Sequence, residues 1–224
     1  MMEERSLPLL GKETIEKLKN SHIAVFGVGG VGGFVVEALA RIGVGQFTIV
    51  DFDLVNFSNK NRQIIALDST IGKKKVDVLK ERILDINGDA IVNIYDLKVD
   101  EENINTFDFT KFNYVADCVD DVNAKMAIIS KCKEFNVDII SSMGTGNKLD
   151  PSKFLIKDIS KTTVCPLAKK IRLECRRRDI RDVKVLYSLE EPIKNSDFIA
   201  SVSFVPSVAG LLIAREIILD IRNR

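Results

Sequence analysis

The sequence predicts an α/β fold: a Rossmann-like, mostly parallel sheet with helices on both faces, followed by an extension that mixes an antiparallel strand with helix. Three observations predict it. Apolar, β-branched runs alternate with stretches of helical periodicity, the signature of βαβ units. A glycine-rich turn joins the first such run to the first long helix. The polar motifs fall at the carboxyl ends of the runs, where open parallel sheets bind ligands.

Residues 15–20 have helical character, and His22-Ile23-Ala24-Val25-Phe26 reads as a first strand ending on Gly27. Apolar positions recur at helical spacing over 33–42, and Gly43 and Gly45 close that helix. Phe47-Thr48-Ile49-Val50 follows as a strand ending in Asp51. A loop rich in Asn and Ser (56–61) leads into a helix over 73–86 and a third strand over 91–95. A fourth strand covers 114–118, a helix 122–135 and a fifth strand 138–142. Parallel neighbours of this kind need right-handed crossovers, which the intervening helices supply. Past Gly146 the pattern weakens to an antiparallel strand over 153–159, a basic helix over 165–178 and a terminal helix over 202–221 whose start Pro206 interrupts. One continuous domain, 1–224, is therefore expected, with a nucleotide-binding half (1–146) and a substrate-facing half (147–224).

Composition narrows the classes of function. The chain has 224 residues, 46% of them hydrophobic, enough to bury a sizeable core. Lys and Arg (33) nearly cancel Asp and Glu (32), so no global field draws the whole protein to nucleic acid or an anionic membrane, and any RNA site is local. Cys118, Cys132, Cys165 and Cys175 form no C-x-x-C pair, which removes the commonest zinc and dithiol pattern and predicts free thiols. No long apolar run follows Met1-Met2-Glu3-Glu4-Arg5, and the apolar stretch 198–214 contains Ser201, Ser203, Pro206 and Ser207. A membrane span takes about 20 apolar residues, so this stretch is read as core and the protein as cytoplasmic. His22, the only histidine, opens a strand and is read as structural.

Chemistry concentrates after the first strand. In Gly27-Val28-Gly29-Gly30-Val31-Gly32 the glycines permit a tight turn, close approach of backbone to a phosphate and packing of the helix on the strand. Asp51, at the end of the second strand, can accept hydrogen bonds from both ribose hydroxyls. These features alone leave NAD and ATP equally supported.

The following motifs separate them. Asp51-Phe52-Asp53, Asn59-Lys60-Asn61-Arg62-Gln63, Gly72-Lys73-Lys74-Lys75 and Cys118-Val119-Asp120 succeed the glycine loop in order. This series resembles the ThiF/MoeB/HesA superfamily, which includes the ubiquitin-activating enzymes, over roughly residues 5–146. The resemblance implies that a carboxylate attacks the α-phosphorus of ATP, giving an acyl-adenylate and pyrophosphate. It further implies that Arg62 and Lys75 stabilise the charge developing on the phosphate, and that Asp120 holds Mg²⁺. Gly27, Gly29, Gly30, Gly32, Asp51, Asp53 and Asn59 would bind the nucleotide. Arg5, the only arginine before the loop, would complete the site from a second subunit of a homodimer.

Within that superfamily the chain is most similar to the tRNA threonylcarbamoyladenosine dehydratases. The similarity is carried by Leu9-Leu10-Gly11, Asn61-Arg62-Gln63-Ile64, Asp117-Cys118-Val119-Asp120 with Lys125, Gly144-Thr145-Gly146, Asp150-Pro151 and the stretch 203–210. It implies a tRNA substrate, whose phosphates the basic segment from Lys169-Lys170-Ile171-Arg172 through Arg176-Arg177-Arg178 to Arg181 and Lys184 would meet. The other reading of the residues is an adenylyltransferase for a ubiquitin-like sulfur carrier, with a sulfurtransferase as a further partner. The chain departs from the group in two places: it is shorter between Lys184 and Ser201, and Cys165 stands where an aspartate commonly precedes Pro-Leu-Ala. A cysteine beside a basic stretch raises the prospect of a thioester.

Overall fold

The computed structural model describes residues 2–193 and 198–224; Met1 and residues 194–197, part of the shortened stretch, lie outside the described residues. Short helices α1 (Leu7–Leu10) and α2 (Lys12–Lys19) precede β1 (His22–Phe26), α3 (Gly32–Arg41) and β2 (Gln46–Val50). Then come α4 (Lys75–Ile86), β3 (Ile91–Tyr95), β4 (Tyr114–Asp117), α5 (Val122–Glu134) and β5 (Asp138–Ser142). The chain finishes with β6 (Phe154–Asp158), α6 (Pro166–Arg177), β7 (Lys184–Ser188) and α7 (Phe204–Arg222).

The strands form one sheet in the order β3-β2-β1-β4-β5-β7-β6, parallel throughout except for β6 against β7. Chain order reverses between β1 and β4, whose ends align as Phe26 opposite Asp117. A crevice therefore opens beyond those carboxyl ends.

Alternation along β1 sends side chains to opposite faces. Ile23 and Val25 join the core under α3, α4 and α7, while Ala24 and Phe26 join the core under α5, α6 and the segment 99–112. Phe26 meets Phe107 edge-on and stacks on Phe109. Burying such a side chain contributes about 1.5–3 kcal/mol, which pins the end of β1 from which the glycine loop departs. On the other face α7 lies hard against α3: a Cβ on Gly210 would stand 2.4 Å from the Val31 carbonyl oxygen. That close crossing seats Pro206 against Gly30 in the glycine loop.

Three sequence expectations change. Strand β7 was not expected, because Lys184 at its start continues a basic run; the structure pairs that ammonium with Glu216 and Asp220 of α7, which lets the strand enter the sheet. Pro206 does not interrupt α7, since it occupies the first turn, where no backbone acceptor requires its missing N–H. Helix α4 begins at Lys75 rather than 73, because Lys74 bridges to Leu54 before the helix starts. His22 is structural as expected: its ring bonds Thr48 Oγ1 at 2.9 Å and abuts Phe112. Among the described residues no helix is long and apolar enough to cross a membrane.

Candidate active site

The glycine loop is built by two steric requirements. Gly27 leaves β1 at φ +81° and touches the loop after β4, so a Cβ there would lie 2.9 Å from the Cys118 carbonyl carbon. Gly32 closes the turn over Gly27, whose oxygen would sit 1.9 Å from an added Cβ. Between them Val28 N donates to Asp51 Oδ2 at 2.8 Å. The next four amides, Gly29 to Gly32, donate to no protein acceptor among the described residues. Unpaired N–H groups in a row at a helix start form a site for an anion.

Around that run the expected residues gather. Asp51 accepts from Val28 N and, through Oδ1, from Asp53 N at 2.9 Å. Lys75, 5% exposed, reaches Asp53 Oδ2 at 2.7 Å and lies 3.8 Å from Asp51 Oδ1. The ammonium is thus already desolvated, and it is held between the carboxylates rather than turned to the open loop. Asn59 is buried and its Oδ1 accepts from Asn56 N at 3.0 Å, so it shapes the turn that presents Arg62. Arg62 lies beside Gly30, its Nη1 donating to Ser58 O and to Asn61 Oδ1 at 2.9 Å. Among the described residues its Nε and Nη2 donate to no protein acceptor.

Sequence reasoning left Gln63 without a role. Its side chain lies against Gly29, and its Oε1 is buried with no partner. A buried orphan acceptor is costly, and a ligand hydroxyl or an ion-bound water satisfies it. The available signal was its place directly after Arg62 in the Asn-rich motif.

The loop carrying Asp120 rests on an ion pair that the sequence did not reveal. Lys125 and Asp117 are both 0% exposed, 3.0 Å apart, and Ser141 donates to the same Asp117 oxygen at 2.5 Å. Asp117 Oδ1 also accepts from Val119 N, which fixes the turn into Asp120. Asp120 itself is exposed at the rim. Asp121 caps α5 by accepting from Ala124 N at 2.8 Å.

Neither Arg5, expected to act on a second subunit's site, nor Cys165 reaches this crevice within the chain. Arg5 is exposed on the turn over Met2–Arg5, whose Glu3 pairs with Lys19 ahead of β1, whereas the glycine loop follows β1. Cys165 is only 2% exposed and packs in the core under α6, so no accessible thiol stands there for a thioester. Burial pushes the Cys118 and Cys132 thiols well up, and that of Cys175 to about 11.

The basic segment is partly spent on the fold. Arg172 donates to Thr162 O, Arg177 pairs with Glu174, Arg178 with Glu101, Arg181 with Asp179 and Lys184 with Asp220. Among the described residues Lys169, Lys170 and Arg176 on α6 have no carboxylate partner.

A model of the ThiF family matches residues 3–222. The chain belongs to the ThiF family. It is 41% identical over 231 residues to the tRNA threonylcarbamoyladenosine dehydratase of Bacillus subtilis, an alignment covering 95% of this chain and 91% of that one. The Escherichia coli tRNA threonylcarbamoyladenosine dehydratase is 37% identical over 164 residues, covering 73% of this chain and 61% of that protein. The E. coli tRNA N6-threonylcarbamoyladenosine dehydratase solved with AMP superposes with a TM-score of 0.92 at 30% identity, covering 97% of this chain and 92% of that one. The same enzyme solved with ATP gives 0.92 at 29% identity over the same shares.

Proposed function

We propose that this ThiF-family enzyme uses ATP to dehydrate threonylcarbamoyladenosine in tRNA. One observation supports the reading: a run of unpaired amides lies at the start of α3 with Arg62 beside Gly30, in a chain so close to dehydratases of this class. In the proposed reaction the threonine carboxylate attacks the α-phosphorus of ATP and pyrophosphate leaves. The substrate's own carbamoyl group then closes a ring on the acyl carbon and expels AMP. The oxygen lost as water departs on AMP, and no enzyme thiol takes part.

The amides of Gly29 to Gly32 bind the phosphates, and Asp51 and Asp53 orient the ribose. Arg62, whose Nε and Nη2 have no protein acceptor among the described residues, stabilises the charge that grows on the α-phosphate in the transition state. Lys75 supplies a second, pre-desolvated positive charge from behind the carboxylates. Asp120 is an exposed carboxylate without a protein partner among the described residues, which suits Mg²⁺ because that ion takes most of its remaining ligands from phosphate and water; when bound, Mg²⁺ would neutralise phosphate charge. Arg5 completes the site from a second copy in a homodimer. Residues 1–146 bind the nucleotide, residues 147–224 face the tRNA, and Lys169, Lys170 and Arg176 meet its phosphates. The setting is the cytoplasm, where thiols stay reduced.

Nucleoside mass spectrometry of tRNA from cells lacking the gene tests the proposal. The cyclic nucleoside is expected to disappear and the open-chain form to accumulate. Unchanged cyclic nucleoside contradicts it, and pyrophosphate exchange that depends on a sulfur carrier and not on tRNA would favour the adenylyltransferase reading.

A further inference from the structure

Arg62 does not stand alone. Its Nη1 donates to Asn61 Oδ1 at 2.9 Å, and the same carboxamide donates through Nδ2 to Ser201 O at 2.9 Å, a contact across 140 positions of the chain. Ser201 continues a segment pinned to the turn after β5. Ala200 N donates to Asn147 Oδ1 at 2.7 Å, and Asn147 N donates back to Ala200 O at 2.8 Å. The neighbouring Ile199 lies so close over Gly146 that a Cβ there would stand 2.2 Å from its Cγ2. Within the same turn Lys148 is buried and its ammonium donates to Gly144 O at 2.5 Å. Beyond Ser201 the chain enters α7, where Pro206 rests on Gly30.

An unbroken chain of contacts therefore runs from the turn at 144–148, beyond the carboxyl end of β5, to the guanidinium beside the glycine loop. We propose that Asn61 is a positioning residue that ties the aim of Arg62 to the segment 199–201, so that the turn on the acceptor side of the crevice sets the geometry of adenylation. A carboxamide suits this, since its oxygen accepts from a guanidinium while its nitrogen donates to a carbonyl. Arg62 keeps Nε and Nη2 for phosphate, and Asn61 acts through it. The chemical consequence is on turnover rather than on ATP binding, because a misaimed donor loses transition-state contacts before it loses ground-state ones. This inference rests on the tRNA dehydratase reading.

The test compares wild type, Asn61→Ala, Asn147→Gly and the double variant on threonylcarbamoyladenosine-bearing tRNA with ATP and Mg²⁺, alongside ATP titrations without tRNA and thermal melts. Glycine at 147 removes the side-chain contact and suits the backbone, which has φ +58° there. Asn61→Ala is expected to lower kcat for AMP release roughly 10- to 100-fold, with ATP affinity and Tm near wild type. Asn147→Gly is expected to lower kcat less, and the double variant to fall no further than Asn61→Ala, the non-additivity of one coupled path. The inference is overturned by an unchanged kcat in Asn61→Ala, by losses that multiply in the double variant, or by ATP affinity and Tm falling in step with kcat. A wild-type protein that releases no AMP on this tRNA overturns the functional reading and this inference together, a result plainly different from those three.

Discussion

The two ends of the sheet use charge in opposite ways. At the carboxyl ends of β1 and β4, amides 29–32, Nε and Nη2 of Arg62 and the Asp120 carboxylate stand without protein partners among the described residues, and Gln63 Oε1 is buried with none. At the other end a cavity of about 260 Å³ opens among Tyr114, Asp138, Lys184, Asp220 and Arg224. There Lys184 is held by Glu216 and Asp220, Tyr114 donates to Asp220 at 2.6 Å, and Arg224 pairs with Asp138. Hydrogen bonds to Asp220 and Glu216 raise the pKa of Lys184 against the opposing effect of burial. The lesson is that a hollow lined by paired charges is architecture, whereas the crevice with unsatisfied groups is where a ligand has work to do.

That contrast can be broken by substitution. Replacing Arg62 or Asp120 by alanine is expected to cut tRNA-dependent AMP formation by roughly 10²–10³ while the melting curve barely moves; a large fall in Tm would make these residues structural. Lys125→Met removes one member of the buried pair and leaves Asp117 charged in the core, which costs about 3–5 kcal/mol and should appear in urea titration as an earlier midpoint. Lys184→Met, on the cavity side, is expected to cost only about 1 kcal/mol, with AMP formation per folded molecule unaltered; lost activity there would relocate the chemistry. The smallest effect belongs to His22, whose pKa burial lowers. The unfolded chain then binds a proton that the folded one refuses, so stability is full above the ordinary histidine value of about 6.5 and declines as pH falls through it. Thermal melts across that range should lose this slope in His22→Gln.

Much of this was legible in the sequence, for identifiable reasons. The glycine loop and Asp51 declare themselves because chain order at strand ends maps directly onto the rim of a parallel sheet, whereas Arg62 and Asp120 stand out through the resemblance of their motifs to the family. The exposed position of Asp120 and the cap made by Asp121 follow from that same geometry. Strand β7 was hidden because Lys184 breaks its apolar pattern, and only α7, folded back across the sheet, supplies the carboxylates that make it admissible. Lys125 follows the Asp117-Cys118-Val119-Asp120 motif in sequence, but its burial against Asp117 is not legible there, since spacing cannot show which face of α5 meets the sheet. Asn61 and Ser201 meet only in three dimensions. Cys165 carried a sequence signal for reactivity that its depth in the core removes.

The most direct test of the central claim is a reaction of the purified protein with ATP, Mg²⁺ and tRNA carrying open-chain threonylcarbamoyladenosine, with AMP and the nucleoside followed together. The account predicts one AMP for each ring closed, with ring closure absent when ATP is withheld. Ring formation without AMP, or AMP released at the same rate on tRNA that lacks the modification, would contradict it.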